Sequence, residues 1–304
     1  MNLSINVFLL VCFTLCSSHS FAADWFNVKG RVQIDHDSTQ LNGKKVINET
    51  NYRRVWLSVY GDKNDWGYLA RFDLRAETFD ADGIVDLVAT YSGFDNGSQL
   101  ILGRQKTHFG LNWASGNTSL SFTERGGVAN YHKYGRMEGV TYQAKLGDKI
   151  NYWLGFYDKN DFKGNAAIGR ITYSYFVEPS HYYHLGSGLG LTGEKDLANI
   201  EFAYGYSALH LQSEYFVASY EDDTQTDTNG WYVEAGYFLD GQTSRPYREG
   251  KFRRVKTNAA FGVLQVTMRA EQGDGNFNHV NIGKSVDASV YTLGLNWYIP
   301  SSVL

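Results

Sequence analysis

From residue 25 onward the sequence alternates apolar and polar side chains, in runs about ten residues long. "NVKGRVQID" sets Val28, Gly30, Val32 and Ile34 against Lys29, Arg31, Gln33 and Asp35. "RRVWLSVYG" sets Val55, Leu57 and Val59 against Arg54, Trp56, Ser58 and Tyr60. "KINYWLGFYDK" sets Ile150, Tyr152, Leu154 and Phe156 against Asn151, Trp153, Gly155 and Tyr157. Such alternation marks a strand with a different solvent on each face. Strands of soluble proteins run about five or six residues, whereas tilted membrane strands need about 9–11. The runs here are the long kind. In lipid an open sheet edge costs several kcal/mol for each unpaired backbone group, so strands of this type must close into a barrel.

The first residues agree with export. An apolar core from about Val7 to Leu15 is followed by Ser20 and Ala22, the −3 and −1 positions of a cut before Ala23. Residues 1–22 are expected to be a signal peptide and residues 23–304 the barrel domain. Both cysteines, Cys12 and Cys16, lie in that leader, so the mature chain holds neither a disulfide nor a thiolate nucleophile. Lys and Arg number 28 against 32 Asp and Glu, a net charge of -4 that implies no nucleic-acid partner. No stretch after the leader is apolar for the roughly 18 residues of a membrane helix.

Fourteen strands are expected, at 25–35, 51–61, 66–77, 84–92, 98–106, 136–146, 149–158, 166–177, 181–190, 198–206, 209–221, 229–239, 257–270 and 286–299. With a periplasmic N-terminus, the odd-to-even connections face outside and should be the longer ones. The first, "HDSTQLNGKKVINET", is long, and the third, about 107–135, is longest. The third is expected to fold inward and narrow a pore. "DGQTSRPYREGKFRR" at 240–254 breaks the rule, being long and basic where a short periplasmic turn belongs.

Four segments carry a resemblance to a known family. They are "YRRVWLSVYGDKNDWGYLARFDL", "ILGRQKTHFGLNWASGNTSLSFTERG", "NGWYVEAGYFLDGQTSRPYREGKFRRVK" and "YTLGLNWYIP", in family order over most of the mature chain. The chain resembles the phosphate-selective porins of the O/P type. That resemblance implies an all-β, transmembrane antiparallel barrel of the sixteen-stranded porin type in a Gram-negative outer membrane. It also implies a homotrimer among outer-membrane lipid and lipopolysaccharide, with a lumen lined by Arg and Lys. An inward third loop and a long periplasmic turn would enter that lumen. After "GLNWY" a family member makes two more strands and ends on an aromatic residue, whereas this sequence ends at Leu304. The barrel is therefore expected to be C-terminally truncated relative to the family, with about fourteen strands.

The anion path is expected on the polar strand faces, because fixed cations in a narrow channel lower the barrier for anions. Arg suits oxyanions through its two parallel donors. The candidates are Arg31, Arg54, Arg71, Arg75 and Arg170, with Arg53 in the other register. Lys106 and Arg125 flank the third loop, Lys133 lies within it, and Arg245 and Arg248 lie in the basic turn. Small anions such as phosphate are the expected solutes, with no cofactor, no metal and no catalysis. From about 171 to 229 there is no Arg, and Lys195 stands alone, which favours a weaker or organic-anion pore over a phosphate ladder. Two further alternatives are a non-conducting truncated porin and a barrel hydrolase. The hydrolase would need groups such as His108, Ser115 and Asp37 to converge, and neither G-x-S-x-G nor H-E-x-x-H is present. "GLGLTG" at 188–193 follows a strand with no helix after it, unlike a nucleotide site. "EDDTQTDTNG" lacks the Glu of a calcium loop and reads as a solvated acidic loop. His181 and His184 of "HYYH" fall on opposite strand faces and cannot easily share a metal.

Overall fold

The computed structural model describes residues 7–11, 25–41, 44–77, 83–158, 165–221, 227–274 and 288–300. The chain forms two compact units, Met1–Tyr91 and Ser92–Val303.

The first unit is a run of antiparallel strands, β1 (Val7–Val11), β2 (Asn27–Leu41), β3 (Lys44–Lys63), β4 (Trp66–Asp73) and β5 (Ile84–Tyr91). Each pairs with the next. β1 lies within the expected leader and pairs with Ile34–Ser38. The β2–β3 register carries Gln33 opposite Arg54 and Ile34 opposite Tyr52, which leaves Arg53 as the extra residue of a bulge. A bulge re-aims side chains locally, so the strict alternation that would oppose Arg53 to Arg54 is broken at that point.

The second unit opens with β6 (Gln99–Lys106) and a long connection. That connection holds α1 (Leu111–Ala114), a 3-10 turn at Asn117–Ser119 and α2 (Gly127–Tyr131). Strands β7 (Arg136–Leu146), β8 (Ile150–Asp158), β9 (Asn165–Glu178), β10 (His181–Leu191), β11 (Lys195–Tyr206), β12 (Leu209–Tyr220) and β13 (Thr228–Phe238) follow. A small hairpin, β14 (Tyr247–Arg248) and β15 (Lys251–Phe252), precedes β16 (Val263–Asp274) and β17 (Ala288–Tyr298). Consecutive strands from β6 to β13 pair antiparallel; β16 then pairs with β13 and β17 with β16. Apart from β1 and the hairpin, the described residues hold fourteen strands, one at each position expected from the alternation.

The second unit is inside-out relative to a soluble sheet. On β12 the buried residues are His210, Gln212, Glu214, Phe216 and Ala218, while Leu209, Tyr215 and Val217 are exposed. Leu185, Ile200, Leu264, Leu293 and Trp297 are exposed on other strands, while Glu201, Glu234 and Glu271 are buried. Water would not tolerate so large an apolar surface, and lipid requires it. The core therefore sits on the polar side of the strands. It is supplied by the two segments that cover that side: Phe109, Val128 and Tyr134 of the long connection, and Tyr247, Phe252 and Val255 of the basic turn.

The glycines of "GLGLTG" serve that packing. A Cβ on Gly188 would lie 3.0 Å from the Phe109 ring, and one on Gly190 would lie 2.2 Å from the Tyr134 ring. These strand positions stay bare so that the connection can press against the wall. β11, not a helix, follows them.

Candidate functional site

The long connection is held by carboxylates from the wall. The backbone N–H groups of Leu111 and Asn112 donate to the Glu214 carboxylate at 2.7 and 2.8 Å. Tyr232 Oη and Asn199 Nδ2 donate to the same carboxylate at 2.7 and 3.0 Å. At the second short helix, Val128 N–H donates to Glu271 at 3.2 Å. Gly126 precedes it because a Cβ there would fall 2.2 Å from the same Glu271 oxygen. Each glutamate meets donors at a helix start that have no intrahelical acceptor.

Those tethers place Trp113, which is 7% exposed and donates Nε1–H to Thr107 Oγ1 at 3.2 Å. Three cations approach its ring: Lys106 Nζ at 4.6 Å, the Arg125 guanidinium at 4.8 Å and Lys133 Nζ at 5.1 Å. Arg125 donates to Asn112 O at 3.2 Å, to Ser115 O at 2.8 Å and to the Asn117 side chain. Lys106 donates to Ser115 O at 2.9 Å, and Lys133 donates to Asn130 Oδ1. Contacts of this kind are worth about 0.5–2 kcal/mol each, more where water is excluded. They also offset part of the cost of crowding like charges.

A second cluster, in the first unit, is built by strand register alone. Arg31 stands opposite Trp56, Gln33 opposite Arg54, Ser58 opposite Arg71, and Arg71 opposite Asp86. Arg31, Arg54 and Arg71 approach the Trp56 ring at 5.4, 5.8 and 5.4 Å. Gln33 Oε1 accepts from Arg31 at 2.9 Å and from Arg54 at 2.7 Å. Arg71 pairs with Asp86 at 2.6 Å and donates to Ser58 Oγ at 3.0 Å. Trp56 Nε1–H donates to Asp73 at 3.2 Å, and Arg75 grips that carboxylate at 2.9 and 2.6 Å.

The remaining candidates are placed differently. Arg170 is fully buried, with Nε and Nη2 donating to Glu201 at 2.8 and 2.6 Å. Arg245 is 4% exposed and donates to Gln212 at 3.0 Å and to Ser119 O at 3.0 Å, with Glu234 at 3.5 Å. Arg248 projects outward, its side chain 72% exposed and 3.7 Å from Glu249. Arg53 is exposed at the bulge. Six of the eleven candidates thus gather on two indoles, and the two most buried ones are ion-paired.

Sequence reasoning missed the indoles as platforms and the buried acids as anchors. The acids had a signal: β11 and β12, in the stretch without Arg, carry Glu201 and Glu214 on the alternating polar face. That stretch is the wall that grips the connection. Ser115 Oγ donates to Leu111 O at 2.8 Å and accepts Phe252 N–H at 3.1 Å, while the His108 ring stacks on Trp153 at 5.5 Å. Burial, with Lys251, Arg170 and Lys106 nearby, pushes the His108 imidazole well below its usual range. His184 is buried and hydrogen-bonded by Tyr247 Oη and Glu201, while His181 packs against Tyr183 and Tyr206. No metal-binding group of His, Cys, Asp or Glu occurs among the described residues. Residues 222–226 of the acidic tract lie outside them.

The sequence model of one protein family, described as phosphate-selective porin O and P, matches residues 26–199 and 184–303. No curated protein sequence matches the chain. Among solved structures, the fold is similar to OmpF of Salmonella typhi in complex with daunomycin. The TM-score is 0.60 at 12% identity, covering 93% of this chain and 88% of that one. It is also similar to OmpT of Vibrio cholerae expressed in the outer membrane, with TM-score 0.57, 11% identity and coverage of 92% and 85%. A loop L8 deletion of that OmpT, described as an outer membrane protein, gives TM-score 0.55 at 14% identity with coverage of 90% and 89%. At these identities the likeness shows the fold.

Proposed function

The chain belongs to the phosphate-selective porin O and P family and is an outer-membrane porin with an antiparallel β-barrel fold; from that premise we propose a passive diffusion channel for small anions, phosphate among them. The observation that carries the anion preference is the cluster of Lys106, Arg125 and Lys133 on Trp113, in the connection that covers the buried face. Fixed cations there attract anions and repel cations, and a narrow low-dielectric passage screens them poorly. Arg31, Arg54 and Arg71 on Trp56 form a second cationic cluster that attracts anions by the same physics. In this reading residues 1–22 are the leader and 23–304 the barrel, which assembles as a homotrimer in contact with lipopolysaccharide. The channel performs no chemistry.

One observation favours an anion pore of modest selectivity, open to organic anions, over a phosphate-binding ladder. Arg170, Arg245 and Arg269 are paired with Glu201, Glu234 and Glu271. These three cations hold the structure together and leave little charge for a solute. The test is reversal potential across a planar bilayer in a KCl gradient, followed by addition of phosphate or benzoate. Chloride preference with partial block by both anions is expected. A cation-preferring channel would reject the anion reading, and block by phosphate alone at low concentration would restore strong phosphate selectivity.

A further inference from the structure

The basic turn is a well-made hairpin. Glu249 and Gly250 sit at φ 54° and 70°, the left-handed pair of a two-residue turn, between Arg248 and Lys251. Arg253 N–H to Pro246 O at 2.8 Å extends the ladder. Its outer side is fixed to the wall. Tyr247 Oη bonds Ser174 Oγ at 2.9 Å and His184 Nδ1 at 2.5 Å, and its ring stacks on Tyr182 at 4.9 Å. Gly250 O accepts from Arg170 at 2.7 Å, and Glu249 pairs with Lys145 at 2.9 Å.

Its inner side holds the long connection at two points. Phe252 N–H donates to Ser115 Oγ at 3.1 Å, and Arg245 Nη2 donates to Ser119 O at 3.0 Å. Ser115 is also the residue whose carbonyl accepts both Lys106 Nζ and Arg125 Nη2. One serine thus joins the hairpin, through its hydroxyl, to two of the three cations on Trp113, through its carbonyl.

We propose that the inward hairpin, acting through Arg245 and Phe252, positions the Lys106–Arg125–Lys133 cluster and so sets the selectivity of the pore. This rests on reading that cluster as the anion-selective constriction. Arg245 is a positioning residue: its guanidinium lies 3.6 Å over the Phe252 ring, beside Glu234, and donates to the connection at Ser119 O without touching the cluster's cations. The sequence offers this turn as a source of pore-lining charge, whereas the contacts give it the work of a clamp.

The full chain is tested with two substitutions that leave net charge unchanged. Arg245→Lys keeps the cation and loses the fork that spans Gln212 and Ser119. Ser115→Ala removes the acceptor for Phe252 and no charge. In planar bilayers each should lower the chloride-to-potassium permeability ratio by roughly threefold or more, because displaced cations leave the path. A residue acting by its charge alone would leave the ratio of Arg245→Lys at the wild-type value. A second readout does not depend on conduction. Thr118→Cys, on the exposed part of the connection, is labelled in the mature chain with a neutral maleimide, the native Cys12 and Cys16 lying in the leader. Arg245→Lys should raise its labelling rate by roughly threefold, as a loosened segment opens more often. Unchanged labelling and an unchanged permeability ratio in both variants would overturn the clamp. A wild-type barrel without anion preference whose labelling still responds would retire the pore reading and keep the clamp. If Arg245→Lys does not fold, Ser115→Ala carries both measurements.

Discussion

Two tryptophans collect three cations each, by opposite means. Around Trp56 the partners come from neighbouring strands, and the register of β2 to β5 dictates every contact. Around Trp113 they come from one long connection and the strand that leads into it. The first cluster is cross-linked by side chains: Gln33 between two arginines, Asp86 on Arg71, Asp73 on the indole N–H. Arg125 and Lys106 are held instead by carbonyls of Asn112 and Ser115, whose position depends on Glu214, Glu271 and the inward hairpin. A sheet can build a cationic patch by alternation alone. A patch on a connection needs anchors brought from elsewhere, and it gives way when they are lost.

Trp113→Ala should produce the largest effect. Truncating a buried tryptophan costs about 3–5 kcal/mol, and here the ring is also the common platform of three cations. Single-channel recording should show roughly twofold higher conductance with the anion preference nearly gone. Trp56→Ala should change the ratio less than about twofold, because its arginines keep Gln33, Ser58 and Asp86. Equal losses in the two variants would break the comparison.

Glu214→Ala comes next. It strands the N–H groups of Leu111 and Asn112 and two side-chain donors, at about 1–3 kcal/mol for each group left buried. Hydrogen exchange at 111–114 should accelerate while the strands keep their protection. Asp86→Ala, its counterpart in the other cluster, leaves Arg71 with Ser58 and should leave exchange in the first unit close to wild type. Protection at 111–114 that survives Glu214→Ala would show that the anchors are redundant.

The same contrast explains what was legible in the sequence. Alternation placed fourteen strands because the two faces of each meet different solvents, and that requirement acts residue by residue. It also placed Arg31, Arg54 and Arg71 on one face, since period two and pairing leave a strand side chain few choices. It could not place Arg125 or Lys133, whose positions depend on which wall residues the connection meets. Nor could it foresee that Arg170 would be consumed by Glu201, because pairing two strands apart in sequence is set by register between β9, β10 and β11. Arg53 is ambiguous in sequence for a local reason, a one-residue bulge that suspends the alternation.

The smallest effect is a pH dependence confined to the connection. His132 follows α2, with Nδ1 on Val128 O at 2.9 Å and Nε2 on Thr228 Oγ1 at 3.0 Å. Burial pushes its imidazole down to about 4, only partly opposed by the Val128 carbonyl. A released connection would take up the proton near pH 6.5, whereas the docked one resists it until about 4. Docking is therefore fully stable above that window and weakens as pH falls through it. At pH 6 the loss is less than about 1 kcal/mol, and it grows toward pH 4. The cluster on Trp56 is built from Arg31, Arg54 and Arg71 with no histidine among its described partners, so it serves as the control for this slope. Corrected for the intrinsic pH dependence of amide exchange, exchange at 127–131 should quicken between pH 7 and pH 5 in the wild type. In His132→Gln, which keeps a donor and an acceptor but no titrating group, the acceleration should disappear. A slope that persists in that variant would move the acid sensitivity to another group and leave the docking of α2 independent of pH.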